Sequence, residues 1–311
     1  VSRSGAAFLS LCLIWGSTWL FIKLGLRDLP PISFAGLRFV LAAAILWAVV
    51  LMRGVPLPRR AREWGFLAVT GILQFTLDYG LLFWGEQRTS SGLAAVLQAT
   101  IPAFGLVFAH FMLPDERLTL PKVSGVALGI LGVGLIFSDQ LAAEGREALR
   151  GSVAIVAAAA SVALANVLVK KRGRDFHPAV ISAVQMLFGL VPLLAAGYAL
   201  EGSPFSFRWT PLAWVSLVYL AIVGSVVAFL IYYWLVQRMD VTKTMLVPLV
   251  TPVIAVLLGM ATLGERLTWR MALGTAAIVS GVAWIMRSRS TTRPDGPKPA
   301  IAGATTPVDG T

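Results

Sequence analysis

The sequence predicts an all-α integral membrane protein whose ten transmembrane helices form two inverted five-helix repeats. The first observation is composition. Of 311 residues, 57% are hydrophobic and 13% charged, with a mean hydropathy of +0.80; a soluble globule carries about 25% charged residues. The second is the length of the uncharged stretches. Residues 155–169 and 179–200 contain no charged side chain, and about 20 apolar residues cross a bilayer as a helix. The third is self-similarity. "PDERLTLPKVSGVALGILGVGLIF" at 114–137 and "GERLTWRMALGTAAIVSGVAWI" at 264–285 share a Glu-Arg-Leu-Thr step followed by a small-residue-rich apolar run.

Apolar windows place helices near 5–27, 32–52, 64–86, 91–112 and 121–139, then near 151–170, 177–200, 212–236, 243–262 and 269–287. The first is too long for a signal sequence, lacks a basic start beyond Arg3 and has no small-residue cleavage site. It holds the single cysteine, Cys12, read as a packing residue. The fourth and ninth carry Pro102 and Pro252 in mid-helix, where each frees a carbonyl four residues back, at Gln98 and Pro248. Matched kinks are read either as hinges or as static bends. The fifth contains Gly125 and Gly129, a GxxxG packing step. Asn166 in the sixth is read as glue between helices. The polar links bearing Glu116 and Glu265 suggest capping or a local ion pair. Residues 289–311 lack apolar periodicity and form a disordered cytoplasmic tail.

Charge supplies orientation. With the N-terminus in the cytoplasm, 17 of the 26 lysines and arginines fall on that side, including Arg53, Arg59, Arg60 and Arg62, and 8 fall outside. Arg38 alone is left inside a helix. The net charge of +11 is therefore a topology signal and not a nucleic-acid surface. Two histidines and one cysteine leave no cluster of soft metal ligands.

The duplication extends beyond the quoted stretches. Pro102 matches Pro252, and "FWGEQR" at 83–88 matches "YWLVQR" at 233–238, at an offset of 150; "KLGLRDLPPISFAGLRF" from Lys23 aligns with "KKRGRDFHPAVISAVQM" from Lys170 at 147. The repeats run over 1–140 and 150–288. Five helices per repeat invert one relative to the other, the usual basis for alternating access around a site near the midplane.

"LIWGSTWLFIKLGL" at Leu13, "PPISFAGLRFVLAAAIL" at Pro30 and the Pro-to-Glu-Arg-Leu-Thr arrangement in both halves resemble the drug/metabolite transporter superfamily. The similarity is to its ten-helix EamA-type members and, among them, to bacterial amino-acid exporters of the YddG type; it covers nearly the whole chain except the tail. The resemblance implies a multi-pass protein of the bacterial inner membrane, with both termini cytoplasmic, that exports amino acids or similar metabolites.

Ionisable groups within the bilayer mark sites, since each is costly unless paired or hydrated. Arg38 lies roughly 9 Å below the outer boundary, Asp78 roughly 12 Å and Gln98 about 10 Å, at 1.5 Å per residue. Arg38 and Asp78 either receive the carboxylate and ammonium of a zwitterion or pair with each other and hold two helices together. The position matching Arg38 is the uncharged Gln185. Trp15 and Trp19, four apart on one helical face, and Tyr79 offer aromatic surface to a substrate. Trp84, Tyr232, Tyr233 and Trp234 cap helix ends, and Trp214, Trp269, Trp284 and Trp234 belong to an interfacial belt. His110 is either a proton relay or an interface residue.

The predicted substrate-binding set is therefore Trp15, Trp19, Arg38, Asp78, Tyr79 and Gln98. The expected function is secondary transport by a monomer that needs no cofactor and contacts only a small molecule and lipid. Neutral amino acids with apolar or aromatic side chains suit the single charge pair. Another metabolite or drug of the same superfamily is the alternative. No GxxxxGK[ST] motif supports ATP hydrolysis, and no HExxH motif supports an intramembrane protease. A receptor would not require an inverted repeat.

Overall fold

The computed structural model describes residues 3–86, 88, 89, 91–138, 145–263 and 268–287. These residues form helices and no strands. In chain order they are α1 (Arg3–Gly25), α2 (Pro31–Met52), α3 (Ala61–Gly71), α4 (Asp78–Glu86), α5 (Ser91–Gln98), α6 (Ile101–Met112) and α7 (Leu120–Ile136). There follow α8 (Gly145–Arg172), α9 (Pro178–Glu201), α10 (Pro211–Ala221), α11 (Ala228–Arg238), α12 (Val241–Thr244), α13 (Val247–Leu263) and α14 (Trp269–Arg287).

Local chemistry sets several of these starts. Pro31, Pro121, Pro178 and Pro211 each stand in the first turn of a helix, where the missing N–H costs nothing and the fixed φ suits the helix. The Thr210 hydroxyl accepts from the Ala213 N–H at 3.2 Å to cap α10. Gly202 ends α9 at φ 89°, a conformation that favours glycine.

Among the described residues, seven spans are long and apolar enough to cross a membrane: Arg3–Ile22, Pro31–Met52, Ala61–Glu86, Gly145–Arg172, Pro178–Glu201, Pro211–Arg238 and Trp269–Arg287. Three shorter apolar helical stretches, 96–112, 120–136 and 241–254, stand where the other expected crossings lie. The expected fourth and ninth helices are interrupted. A turn at Ala99 and Thr100 separates α5 from α6, so Pro102 begins a helix and does not kink one. A second turn at Met245 and Leu246 separates α12 from α13, where Pro252 does lie inside the helix. Glu265 and residues 288–311 lie outside the described residues.

Two spans contain a wider turn. A π-helical segment, Ile72–Leu77, joins α3 to α4, and another, Ile222–Val227, joins α10 to α11, 150 residues later. Such segments disturb the regular carbonyl ladder and concentrate at functional sites. Here each receives a side chain from the first long helix of the opposite half of the chain. The Trp15 indole N–H donates to the Gly224 carbonyl at 3.2 Å, and the Ser161 hydroxyl donates to the Leu73 carbonyl at 3.0 Å.

Helix α2 packs on α9, α7 on α14, and α8 on α4 and α6. Between helices in lipid, close backbone approach replaces hydrophobic driving force. Gly125 meets Gly281 and Gly132 meets Gly274 across the α7–α14 crossing. A Cβ added at Gly132 would lie 2.6 Å from the Gly274 carbonyl oxygen. Gly129 packs on Leu249, so both members of the GxxxG step make packing contacts.

Carboxylates tie the two halves of the chain at their ends. Glu201 accepts from the backbone N–H groups of Ile32 and Ser33 at 2.8 and 2.6 Å. Glu116, 1% exposed, caps the distant helix α12: it accepts from the N–H of Val241 at 2.7 Å and of Thr242 at 3.3 Å, and from the Thr242 hydroxyl at 3.1 Å. Burial pushes the Glu116 carboxyl above the usual carboxylate range, and the N–H donors oppose that shift. Beside it, Asp240 lies 3.9 Å from Lys122 and 4.0 Å from Lys243, all of them buried.

Candidate functional site

The interrupted and widened helices surround a cavity of about 200 Å³. Trp15 from α1, Arg38 from α2, Asp78 and Tyr79 from α4 and Gln98 from α5 all line it. Five of the six residues expected to meet substrate therefore converge. Trp19 is on α1, but its side chain lies outside the described residues.

The π segment places Gln74 and Asp78 on the cavity wall. Asp78 is 7% exposed and accepts from the Gln98 side-chain amide at 3.2 Å. Arg38, 6% exposed, has its guanidinium carbon 4.5 Å from the Phe39 ring centroid and 4.8 Å from that of Tyr79. Its Nε has no hydrogen-bond partner among the described residues, and it makes no ion pair with Asp78. The purely structural Arg38–Asp78 bridge is thus not formed. Ring faces offset the guanidinium charge in its place.

Trp15 is held by its bond to Gly224, with its ring 5.3 Å from Tyr232 and 5.6 Å from Phe229. Behind this surface Phe75 touches both Phe39 and Phe229, at 4.9 and 5.0 Å between centroids. One wall is aromatic and fixed; the other is polar.

Several assignments made from sequence change. Tyr232 is 4% exposed and lines the cavity instead of capping a helix end. Asn166 also lines it, with Oδ1 lacking a partner, so it is more than glue between helices. Glu86, Gln74 and Phe229 line it without having been foreseen. His110 stands apart near the end of α6, where its Nδ1 accepts from the Leu118 N–H at 3.4 Å. Neither Pro102 nor Pro252 lines the cavity; Pro248, in the first turn of α13, does. Gln185, matching Arg38, points elsewhere: it is fully buried, donates to the Thr70 hydroxyl at 2.7 Å and accepts from the Tyr233 hydroxyl. Among the described residues, no three His, Cys, Asp or Glu side chains gather as a metal site.

Comparison with known proteins agrees with this architecture. A protein of known crystal structure superimposes with a TM-score of 0.78 at 23% identity, over 91% of this chain and 97% of its own. The uncharacterized transporter YoaV of Bacillus subtilis (strain 168) is 29% identical over 88% of this chain and 93% of its own length. The uncharacterized inner membrane transporter YedA of Escherichia coli (strain K12) is 30% identical over 90% of this chain and 89% of its own. A probable amino-acid metabolite efflux pump of the same strain is 29% identical over 90% and 93%. The model of the EamA-like transporter family matches twice, at residues 4–138 and 149–287. With almost its whole length covered by two copies of that family's pattern, the chain belongs to the EamA-like transporter family of the drug/metabolite transporter superfamily.

Proposed function

We propose that this chain is a secondary transporter that exports neutral amino acids with apolar or aromatic side chains, or similar small metabolites, across the bacterial inner membrane. The observation that carries the reading is the cavity itself: a guanidinium held on ring faces and a carboxylate on one side, fixed aromatic faces on the other. These suit the two ends and the body of a zwitterion. The relative described as a probable amino-acid metabolite efflux pump supports the substrate class, and YedA's description supports the membrane.

The mechanism in this reading is alternating access by two inverted five-helix repeats, 1–140 and 150–288, with both termini and the tail 289–311 in the cytoplasm. Sequence matches at fixed offsets and the doubled family pattern support it. Each half presents its π segment to the other, so one half can rock against its counterpart while the side chains that dock there keep contact. Cysteines at Arg60 and Gly173 then react only from the cytoplasm, and cysteines at Glu147 and Gly202 only from outside. Labelling of Glu147 and Gly173 from one side overturns the inversion.

The decisive experiment is uptake of labelled free amino acids into liposomes carrying the purified protein, with and without a pH gradient. Leucine and phenylalanine are expected to move. Flux of nucleotide sugars with none of amino acids overturns the reading.

A further inference from the structure

The cavity does not treat the two ends of a zwitterion alike. Its charged lining consists of Arg38, Asp78 and Glu86, two carboxylates against one guanidinium. Arg38 is already compensated by the faces of Phe39 and Tyr79. Among the described residues neither carboxylate has an ion-pair partner: Asp78 accepts from the Gln98 amide, and Glu86 forms no ion pair.

The neutral groups lean the same way. Gln98 gives one of its two side-chain N–H groups to Asp78, and its oxygen is buried without a partner among the described residues. The hydroxyls of Thr18 and Thr251, both in the lining, donate to the carbonyls of Trp15 and Pro248 at 2.6 and 3.1 Å, which leaves each hydroxyl able only to accept. The Trp15 N–H is spent on Gly224. Buried acceptors with no donor are costly until a donor arrives, and an ammonium brings three.

We propose that the cavity requires a protonated amine and only tolerates a carboxylate: Asp78 and the Gln98 oxygen hold the ammonium, Glu86 draws it in, and primary amines with an apolar or aromatic body but no carboxylate are also substrates. This rests on the transporter reading above. Glu86 lies eight residues beyond Asp78 along α4, about 12 Å at the helical rise, so one ammonium meets the two carboxylates in turn. In a low-dielectric cleft a charge at that distance still focuses cations inward.

The test is competition for phenylalanine exchange in proteoliposomes by phenethylamine, which keeps only the amine, and by 3-phenylpropionate, which keeps only the carboxylate. Phenethylamine is expected to compete about tenfold more strongly, the scale of one charge-assisted contact. Glu86→Gln is expected to weaken phenethylamine about tenfold and phenylalanine less, because a zwitterion of zero net charge is drawn less by a single carboxylate than a cation is. Equal competition by 3-phenylpropionate, or an unchanged ranking in Glu86→Gln, overturns the proposal. If phenylalanine is not exchanged at all, the amino-acid reading fails separately. The melting temperature of the wild-type protein with each compound then decides: stabilisation by phenethylamine alone supports the amine requirement, and its absence overturns it.

Discussion

The two walls of the cavity come from matching positions of the two halves, yet differ in chemistry. Gln74 and Gly224, Tyr79 and Phe229, Leu82 and Tyr232, Gln98 and Pro248, and Ile101 and Thr251 are each 150 residues apart, and all ten line the same space. The N-terminal half contributes every charged group of the lining together with the rings of Trp15, Tyr79 and Phe83, whereas the C-terminal half contributes the rings of Phe229 and Tyr232 and no charge. Asp78 corresponds to Ala228. Arg38 corresponds to Gln185, which bonds to Thr70 and Tyr233 instead of facing the cavity. The same positions turn inward in both halves, but only the first half places charge there.

The largest test of that division exchanges the charges, Arg38→Asp with Asp78→Arg. The exchange removes the ring contacts of Arg38 and the Gln98 bond of Asp78, so the melting temperature is expected to fall by several degrees, about 1–3 kcal/mol, and flux is compared per folded protein. Amino-acid flux is expected to fall roughly 100-fold, the scale of about 3 kcal/mol for a misplaced buried charge contact. A stable double variant with full flux would remove both residues from the site.

Next comes the aromatic wall. Trp15→Ala or Tyr232→Ala is expected to weaken phenylalanine transport about tenfold and alanine transport less, as befits about 1.4 kcal/mol of lost ring contact. Trp15→Phe separates the ring from the N–H bond to Gly224. Equal losses for large and small substrates would mean that these rings shape the bundle and not the substrate.

The smallest effect is expected at the counterpart of the arginine. Tyr233→Phe deletes a buried hydrogen bond to Gln185 and is expected to cost about 1–2 kcal/mol of stability, with the order of substrates unchanged. A reordered substrate series would show that the second half also reads polar groups.

Much of the polar wall was visible in the sequence because it rests on depth. Arg38, Asp78 and Gln98 share a layer when counted from helix ends at a fixed rise, and unpaired charge in an apolar run is conspicuous. What depth does not give is azimuth. Tyr232, Tyr233 and Trp234 are consecutive, and only packing tells that Tyr232 faces the cavity while Tyr233 reaches Gln185. The π segments rotate the face of everything after them, yet "ILQFTL" and "IVGSVV" share no residue pattern that signals one. The breaks were hidden for a similar reason. Pro102 in an apolar run reads as a kink, but Ala99 and Thr100 form a turn before it and make it a helix start. Glu86 was overlooked because it stands at a helix end, where a carboxylate is ordinarily wet.

Glu116 has a consequence for the order in which the protein is made. Its N–H donors at Val241 and Thr242 lie 125 and 126 residues downstream, so the ribosome delivers the acid long before anything that can satisfy it. Trp15 waits longer still for the Gly224 carbonyl, across 209 residues. Until the second half is made, local folding cannot supply these partners, and water must stand in for them at Glu116. The first half's final packing is a late event, completed when the second half threads in beside it, and halves produced as separate chains must find each other before either reaches the structure it has here.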